Sequence, residues 1–171
     1  MAELLAPLAP WLRLIHALTG ILLVAGLLGR WVVLSQAEHA AHTEELTTVQ
    51  GLLRASSVFE RIVIPTSVAV LVLGLLTAWS YGYPLLGSLQ GRGGNWLPVS
   101  LLLYLSTIPL VPLIFLPKGR QFGAALDEAV AMSRVTPALV AAFGDRRVRA
   151  AHVYEFAVVV VVLVLMLSRP F

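Results

Sequence analysis

Four long apolar stretches, separated by more polar segments, dominate the hydropathy pattern of the chain. They run over Trp11–Leu34, Phe59–Trp79, Trp96–Leu116 and Val148–Leu167. Each has about 20 residues, which is the length that an α-helix needs to cross a hydrocarbon core of about 30 Å. The pattern therefore predicts an all-α polytopic membrane protein, a four-helix bundle in which residues 1–171 form a single domain of four transmembrane spans.

Aromatic residues bracket the first three apolar stretches. In each stretch, two aromatic side chains are separated by 19 or 20 residues, which corresponds to about 30 Å along a helix. This spacing is typical of aromatic belts at the two interfaces of a membrane. The pairs are Trp11 and Trp31, Phe59 and Trp79, and Trp96 and Phe115.

The composition excludes a water-soluble globular protein. Residues of the AVILMFWYC set make up 58% of the chain and charged residues 12%, whereas charged residues make up about 25% of soluble domains. A chain this apolar has more apolar surface than a soluble fold can bury. We therefore expect the lipid bilayer as its main partner, and no nucleic acid. Cysteine is absent, which excludes disulfides, thiolate metal sites and covalently attached c-type haem.

Basic residues are distributed unevenly between the apolar stretches. Nine of the twelve fall in or beside the segments that follow the first and third stretches, and three fall on the opposite side. Because cytoplasmic loops of membrane proteins carry an excess of Lys and Arg, this asymmetry predicts the orientation. We expect a protein of the bacterial cytoplasmic (inner) membrane, with both termini outside and with loops 35–58 and 117–147 in the cytoplasm.

Both predicted cytoplasmic loops contain an amphipathic pattern that indicates a short helix. In the first loop Thr43 is a candidate N-cap, and four apolar residues follow on one helix face. In the second loop Thr136 and Pro137 begin a short helix that Gly144 ends. We expect these helices to lie in the membrane interface, with their apolar faces towards the lipid. The four apolar residues of the first loop are Leu46, Val49, Leu52 and Leu53.

Prolines occur within two of the predicted spans. Pro65 lies about one turn inside the second span, and Pro109, Pro112 and Pro117 lie in the cytoplasmic half of the third. Each proline frees a backbone carbonyl and favours a kink. The freed carbonyls either line a cavity or accept hydrogen bonds from neighbouring hydroxyl groups, and we predict kinked packing.

His16 is the most informative residue within the predicted spans. It lies about one and a half turns inside the first span, on a face that also carries Gly20 and Gly26. A titratable side chain at this depth of a membrane span suggests a functional site. Histidine is a frequent axial ligand of haem iron. Two interpretations remain open. His16 either binds a haem, binds another metal ion or handles protons, or it hydrogen-bonds across the bundle to Ser100 or Tyr81.

Met166 is a second candidate ligand, because the alternating direction of the spans places it at the depth of His16. A pair formed by His16 and Met166 is geometrically compatible with one haem iron or one copper ion. By helix rise, His152 lies about 20–25 Å from His16. A haem held by both histidines is thus excluded.

A group of charged residues is predicted at the cytoplasmic end of the bundle. Arg30 and Glu60 lie at the ends of adjacent spans and are expected to form an ion pair, while Arg61 reaches the lipid headgroups. Two interpretations remain for the group: it anchors and pairs the helices, or it forms an entrance for protons or substrate. The members of this interfacial charge cluster are Arg30, Glu60, Arg61, His152 and Glu155.

Several short motifs resemble a family of uncharacterised bacterial four-span membrane proteins, related to CopD-type copper-resistance proteins and HemJ-type protoporphyrinogen oxidases. The resemblance implies haem binding by a first-span histidine, which corresponds to His16. The third-span lysine that accompanies this histidine in HemJ-type enzymes has no counterpart before Lys118, and the chain departs from the enzyme pattern there. The motifs are His16-Ala-Leu-Thr-Gly20 through Gly26, Ala37-Glu38, Pro65 followed by Gly74, and Met166-Leu-Ser-Arg-Pro-Phe171.

Three functional hypotheses follow. The leading one is a small membrane protein that binds haem b, or another tetrapyrrole, through His16, with Met166 as a further candidate ligand. No catalytic residue is assigned, and whether the protein is an enzyme stays open. The second is a non-catalytic bundle that packs with partner membrane subunits, assists their assembly or forms a homo-oligomer, because Gly26, Gly29 and Gly74-xxx-Ala78 are typical of helix interfaces. The third is transport of copper or another small solute.

Overall fold

A computed structural model describes residues 6–86 and 95–169 of the protein, and nearly all of them are helical. Within these ranges no β-strand occurs, so the predicted all-α class is confirmed. The last two residues of the Met166–Phe171 motif lie outside the described residues. After a short 3₁₀ turn at Ala6–Leu8, the α-helices are α1 (Ala9–His42), α2 (Leu46–Ser80), α3 (Trp96–Leu105), α4 (Leu116–Ala131), α5 (Pro137–Phe143) and α6 (Arg146–Ser168).

Three helical stretches among the described residues are long and apolar enough to cross a membrane. They are α1, α2 and the run Pro137–Ser168, which contains α5 and α6. The chain therefore has the several apolar helices expected of a polytopic membrane protein. The number of four spans stays a prediction, because α3 is an apolar helix of only 10 residues.

The third predicted span, Trp96–Leu116, is not a single continuous helix. α3 ends at Leu105, turns follow at 106–109, and a π-helical segment covers Val111–Phe115 directly before α4. We call this stretch the π segment. Pro109 and Pro112 explain the interruption, because proline has no backbone N–H and its ring clashes with the preceding turn. Backbone hydrogen bonds between residues three apart replace part of the regular ladder in the turns.

Pro65, in contrast, lies within a helix that continues past it. α2 extends from Leu46 to Ser80 without a break. The hydroxyl of Thr66 donates to the carbonyl of Ile62 at 2.6 Å, so a neighbouring hydroxyl binds a carbonyl in the turn that Pro65 disturbs. The carbonyl that Pro65 itself frees is that of Arg61, four residues earlier, so its role stays a prediction.

The prediction of a separate short helix after Thr43 is wrong. Thr43 is the C-cap of α1 rather than the N-cap of a loop helix, and α2 begins only three residues later. Glu44 makes the turn with a positive φ of 61°. The apolar residues from Leu46 onwards thus form the first two turns of α2 itself, because their helical periodicity continues into the second span without a strong helix breaker.

The second loop helix is confirmed as α5. The side chain of Thr136 accepts a hydrogen bond from the N–H of Leu139 at 3.3 Å, and Gly144 is the C-cap. A threonine N-cap followed by proline at the first helical position satisfies the free N–H groups of the first turn. The local sequence alone is sufficient to specify this helix.

The apolar faces predicted to lie against lipid pack against one another instead. α1, α2, α4 and α5 share a small core in which Val49, Ala129 and Leu139 have no exposed surface. Burial within the protein removes the need for a lipid contact, so the predicted interfacial position of these faces is wrong for the core residues. We call this end of the bundle, formed by α4, α5 and the turn between α1 and α2, the basic end. The core comprises Ala40, Ala41, Val49, Ala125, Ala129 and Leu139.

Glycines allow α1 and α2 to pack at close range. A Cβ atom at Gly26 would lie 2.8 Å from a methyl group of Val63, and a Cβ at Gly29 would overlap the ring of Phe59. Small residues at such crossings are a common way to pack membrane helices. Because Gly26 and Gly29 pack against a helix of the same chain, they give no support for packing against a helix of a partner protein.

The aromatic residues divide into two groups. Trp11 and Trp31 are 64% and 62% exposed, as expected for side chains at a lipid interface. Phe59 instead fills the space above Gly29, and Trp96 is only 9% exposed. The belt prediction is therefore wrong for Phe59 and Trp96, because both rings fill gaps between helices.

Candidate functional site

The imidazole of His16 lies in the contact between α1 and α2. Its Cε1 is 3.0 Å, and its Nδ1 3.4 Å, from the position that a Cβ would take at Gly74. A distance of 3.0 Å is shorter than ordinary van der Waals contact, so the ring occupies the space left by the missing side chain. Gly74 is thus the residue that lets the imidazole enter this contact.

Nδ1 of His16 is buried and has no partner at hydrogen-bond geometry among the described residues, although the backbone of Val70 lies close enough to interact with the imidazole. The two bonds predicted for a structural histidine are not formed. The hydroxyl of Ser100 donates to the carbonyl of Trp96 at 2.7 Å, and the ring of Tyr81 stacks on Tyr83. Most buried polar atoms in proteins are paired, so an unpaired one calls for an explanation.

Gly20 leaves open space beside His16. It follows His16 by one turn on the same face of α1, and a Cβ at this position would meet no described atom within 4 Å. Gly20 therefore differs from Gly26 and Gly29, where the partner helix fills the space. The imidazole is flanked by a close contact at Gly74 and an open position at Gly20.

Met166, the second predicted ligand, packs against the cluster of Ala78, Trp96 and Leu97. Ala78 follows Gly74 by one helical turn on α2. The cluster and His16 are therefore at neighbouring levels of the bundle, as the span directions predict.

The guanidinium of Arg169 lies near two aromatic rings at the same end of the bundle, a contact that the sequence did not predict. Its guanidinium carbon lies 5.3 Å from the ring centre of Tyr83 and 5.4 Å from that of Trp96. Nη1 also donates to the Tyr83 hydroxyl at 2.8 Å. These contacts join the end of α6 to the residues that follow α2. The only sequence signal was the basic residue within the motif Met166-Leu-Ser-Arg-Pro-Phe171.

Four elements converge on a second site, nearer the basic end. Nε of Arg30 lies 3.6 Å from Oε1 of Glu60, and its guanidinium lies 5.8 Å from the ring centre of Phe115. The Phe115 ring stacks on His152 with centroids 4.7 Å apart. Nδ1 of His152 is in turn 3.7 Å from Oε2 of Glu155. We call these five residues the polar cluster.

Most of the polar cluster is shielded. The Arg30, His152 and Glu155 side chains are 18%, 21% and 21% exposed, whereas Glu60 is 49% exposed. Nε of Arg30 is buried without a hydrogen-bond partner in the described residues, because its distance to Glu60 is too long for one. The ion pair expected between Arg30 and Glu60 is therefore present as an electrostatic contact.

Sequence reasoning grouped four of these five residues and missed Phe115, which it assigned to an aromatic belt. The π segment turns the Phe115 ring inward between Arg30 and His152. Arg61, the remaining residue of the predicted charge cluster, is exposed. Pro109 and Pro112 were the available signal, since they predict irregular backbone, but they do not predict which side chain the irregularity reorients.

Two ion pairs lie outside the polar cluster, at the basic end. Arg149 Nη2 is 2.6 Å from Oε1 of Glu38, and Lys118 Nζ is 2.8 Å from Oδ2 of Asp145. The hydrogen bond from Lys118 holds the pKa of the Asp145 carboxyl below its usual value. The other carboxylate oxygen of Asp145 caps α6 by accepting from the N–H groups of Arg147 and Val148. No set of three or more His, Asp or Glu side chains arranged to hold a metal ion occurs in the described residues.

A family model described as a predicted integral membrane protein family, DUF2269, matches residues 10–170. The chain belongs to the DUF2269 family. Membership agrees with the apolar helices and supports an integral membrane protein in contact with the lipid bilayer. No match was found among curated proteins or among solved structures. The relationship to CopD-type and HemJ-type proteins stays a prediction.

Proposed function

We propose that this DUF2269 protein binds haem b, or another tetrapyrrole, through His16. The observation that carries the proposal is the unpaired Nδ1 of His16, buried between α1 and α2. An unsatisfied buried polar group costs about 1–3 kcal/mol. Such a cost in a natural protein often accompanies function, and histidine is a frequent ligand of haem iron.

The surroundings of His16 suit a flat, mainly apolar ligand. Gly20 leaves open space on the same face of α1, whereas the space at Gly74 is filled by the imidazole itself. His16 would supply one ligand to the iron, and Met166 at the neighbouring level is a candidate for the other. Bound there, a haem would supply one-electron redox chemistry, and an apolar shell would restrict access of water to the iron.

Absorption spectroscopy tests the proposal. Purified protein in mild detergent is supplemented with haem, passed through a desalting column and scanned. We expect a Soret band that persists after desalting in the wild type and is lost in His16→Ala. His39→Ala is the matched control, because His39 is an exposed histidine on the same helix. A wild type without a Soret band, or a band that is unchanged in His16→Ala, would falsify the proposal.

Gly20→Leu provides a second test at the same site. Because no described atom lies within 4 Å of a Cβ at Gly20, the leucine is expected to fit without disturbing α2. Its side chain would occupy the open space next to His16, so haem retention should fall at least about tenfold while the thermal stability of the haem-free protein is preserved. If Gly20→Leu retains as much haem as the wild type, the haem does not bind beside Gly20.

We also propose that the protein lies in the bacterial cytoplasmic membrane with the basic end in the cytoplasm. The support is the concentration of basic residues at that end, nine of the twelve in the chain. The chain has no cysteine, so single cysteines are clean labelling sites. In intact cells, an impermeant maleimide should label Leu85→Cys, and should label Arg134→Cys only after lysis. The reverse labelling pattern would show that the basic end lies outside the cytoplasm.

A further inference from the structure

A groove runs along one exposed stripe of α6, starting at the basic end. Its volume is about 560 Å³, and its lining residues recur at helical spacing. Two arginines line the part nearest the start of α6, and the remaining side chains are apolar apart from one tyrosine hydroxyl. The groove is therefore basic at one end and apolar along the rest of its length. The lining residues are Arg146, Arg149, Ala150, Val153, Tyr154 and Ala157.

Two alanines make room for this groove. Ala150 and Ala157 are seven residues apart, which is about two turns along the same stripe of the helix. Val153 and Tyr154 are 61% and 43% exposed, so no other described helix covers this face. The hydroxyl groups of Tyr154 and Ser106 lie 2.7 Å apart, which holds the tyrosine ring in place as one wall. Because α6 belongs to a stretch long and apolar enough to cross a membrane, the groove is open to lipid.

The order of chemical groups along the groove matches that of a phospholipid. The arginines lie in the first turn of α6, and the apolar part follows them towards the middle of the helix. From Arg149 to Ala157 the helix rises about 12 Å, which is most of one leaflet of a hydrocarbon core about 30 Å thick. A phospholipid likewise has a phosphate at the membrane surface and an acyl chain that extends inward.

Both arginines have N–H groups available for a phosphate. Nη2 of Arg149 is 2.6 Å from Oε1 of Glu38 on α1, yet the Arg149 side chain is 61% exposed. A guanidinium has five N–H donors, so Arg149 keeps others beside the one that Glu38 uses. Arg146 is exposed and forms no ion pair with the described residues. Because residues three apart are neighbours on a helix surface, the two guanidinium groups can bind the same phosphate.

The carboxyl groups near the groove already have partners. Glu38 pairs with Arg149, as described above. Asp145 pairs with Lys118 at 2.8 Å, and it also caps α6. No Asp or Glu lines the groove in the described part of the chain. The cationic amine of a zwitterionic lipid would therefore find no unpaired carboxylate here, and the charges favour a lipid with net negative charge.

We propose that the groove binds one anionic phospholipid. The phosphate accepts hydrogen bonds from Arg146 and Arg149, and one acyl chain lies along the apolar part of the groove as far as Ala157. Glu38 is a positioning residue, because its contact with Arg149 holds that guanidinium beside the groove. The proposal depends neither on haem binding at His16 nor on which side of the membrane the basic end faces.

Native mass spectrometry of the protein in mild detergent tests the recognition of the headgroup. The protein is titrated with phosphatidylglycerol, which is anionic, and with phosphatidylcholine, which is zwitterionic. We expect one phosphatidylglycerol to bind in preference, and its affinity to fall about tenfold in Arg146→Gln, as for the loss of a charge-assisted hydrogen bond. Arg147→Gln is the matched control, because Arg147 is exposed and adjacent but does not line the groove. It should change the affinity less than about twofold.

A second pair of variants separates a lipid from a free phosphate ion. Ala157→Trp fills the apolar part of the groove, and it should fold because Ala157 is exposed. Leu163→Trp is its control, since it places the same ring at an exposed position outside the groove. We expect phosphatidylglycerol to bind about tenfold more weakly to Ala157→Trp and with unchanged affinity to Leu163→Trp. Added inorganic phosphate should not displace the lipid from the wild type.

Three results would overturn the proposal. Equal losses of affinity in Arg146→Gln and Arg147→Gln would show a general attraction by surface charge instead of a site. Equal binding of the two lipids would show that the headgroup charge is not recognised. Displacement of the lipid by inorganic phosphate, with full binding in Ala157→Trp, would show that the arginines bind a phosphate group without any contribution from an acyl chain.

Discussion

His16 and His152 are both histidines on long apolar helices, yet their surroundings have little in common. His152 stacks on Phe115, and its Nδ1 lies 3.7 Å from Oε2 of Glu155, so the imidazole has an aromatic ring and a carboxyl group beside it. His16 lies on the bare backbone of Gly74, and its buried Nδ1 has no hydrogen-bond partner in the described residues. The protein therefore supplies a charged environment to one imidazole and an apolar one to the other.

This difference separates two kinds of chemistry that the sequence pattern does not distinguish. A histidine beside a carboxyl group and an aromatic ring is held by contacts within the protein, and replacing it leaves the carboxyl group without that neighbour. A histidine whose Nδ1 lacks a hydrogen-bond partner can offer a ring nitrogen to a bound metal ion, and the unsatisfied atom destabilises the protein when nothing binds it. Substitutions at the two sites should therefore affect stability in opposite directions.

The largest expected effect is at the contact beneath His16. Gly74→Leu places a side chain where the imidazole already lies within 3.0 Å of the Cβ position. We expect it to lower the free energy of unfolding by about 3 kcal/mol, because well-packed contacts do not accommodate added atoms. Denaturation in mixed detergent measures the change. Gly20→Leu is the control, and it should be neutral; equal effects at both glycines would show that His16 is not held at Gly74.

The next effect is at His152. In His152→Leu the carboxyl group of Glu155 loses the imidazole whose Nδ1 lies 3.7 Å from its Oε2. We expect a loss of about 2 kcal/mol, since a shielded carboxylate without a partner is costly. The double variant with Glu155→Leu should recover part of this loss, because it removes the uncompensated charge. No recovery in the double variant would mean that the two side chains are not coupled.

His16→Leu should change the free energy of unfolding less than His152→Leu does, and in the opposite direction. Removing an unpaired buried nitrogen is expected to raise the free energy of unfolding of the haem-free protein by up to about 1 kcal/mol. The same denaturation assay compares it with His152→Leu. A His16→Leu protein as strongly destabilised as His152→Leu would show that the imidazole of His16 has a stabilising partner, and the contrast between the two histidines would disappear.

The smallest effect is at Asp145, outside both sites. Lys118 lowers the pKa of this carboxyl, so the folded protein favours its charged form. The resulting stabilisation is fully present above the ordinary aspartate pKa of about 3.9 and is lost as the pH falls through the lower folded value. The wild type should therefore melt above Asp145→Asn at neutral pH, and the difference should vanish in acid. A difference that is independent of pH would exclude the ion pair as its cause.

Local signals in the sequence predicted part of this structure well. The apolar stretches predicted helices, and Thr136 and Gly144 predicted the ends of α5. The opposite charges of Arg30 and Glu60 predicted their pairing. In each case the residues that decide the outcome are close in sequence or have strong chemical complementarity. Such signals hold whatever surrounds them.

Contacts between distant helices were not predictable in the same way. An apolar face can meet lipid or another helix, so the pattern did not reveal that Val49 and Leu139 share a core at the basic end. Phe115 and Phe59 were assigned to the interface because spacing does not report which way a ring turns. Likewise, only the packed helices show that the glycine opposite His16 is Gly74 and that Nδ1 is left without a partner.

The most direct measurement of the role of His16 is chemical rescue of a cavity variant. His16→Gly is supplemented with haem in detergent, and the Soret band is recorded without imidazole and with free imidazole, beside the wild type. The account predicts a retained haem in the wild type, its loss in His16→Gly and its return with imidazole, which replaces the missing ligand. A Soret band of wild-type intensity in His16→Gly without imidazole would contradict it.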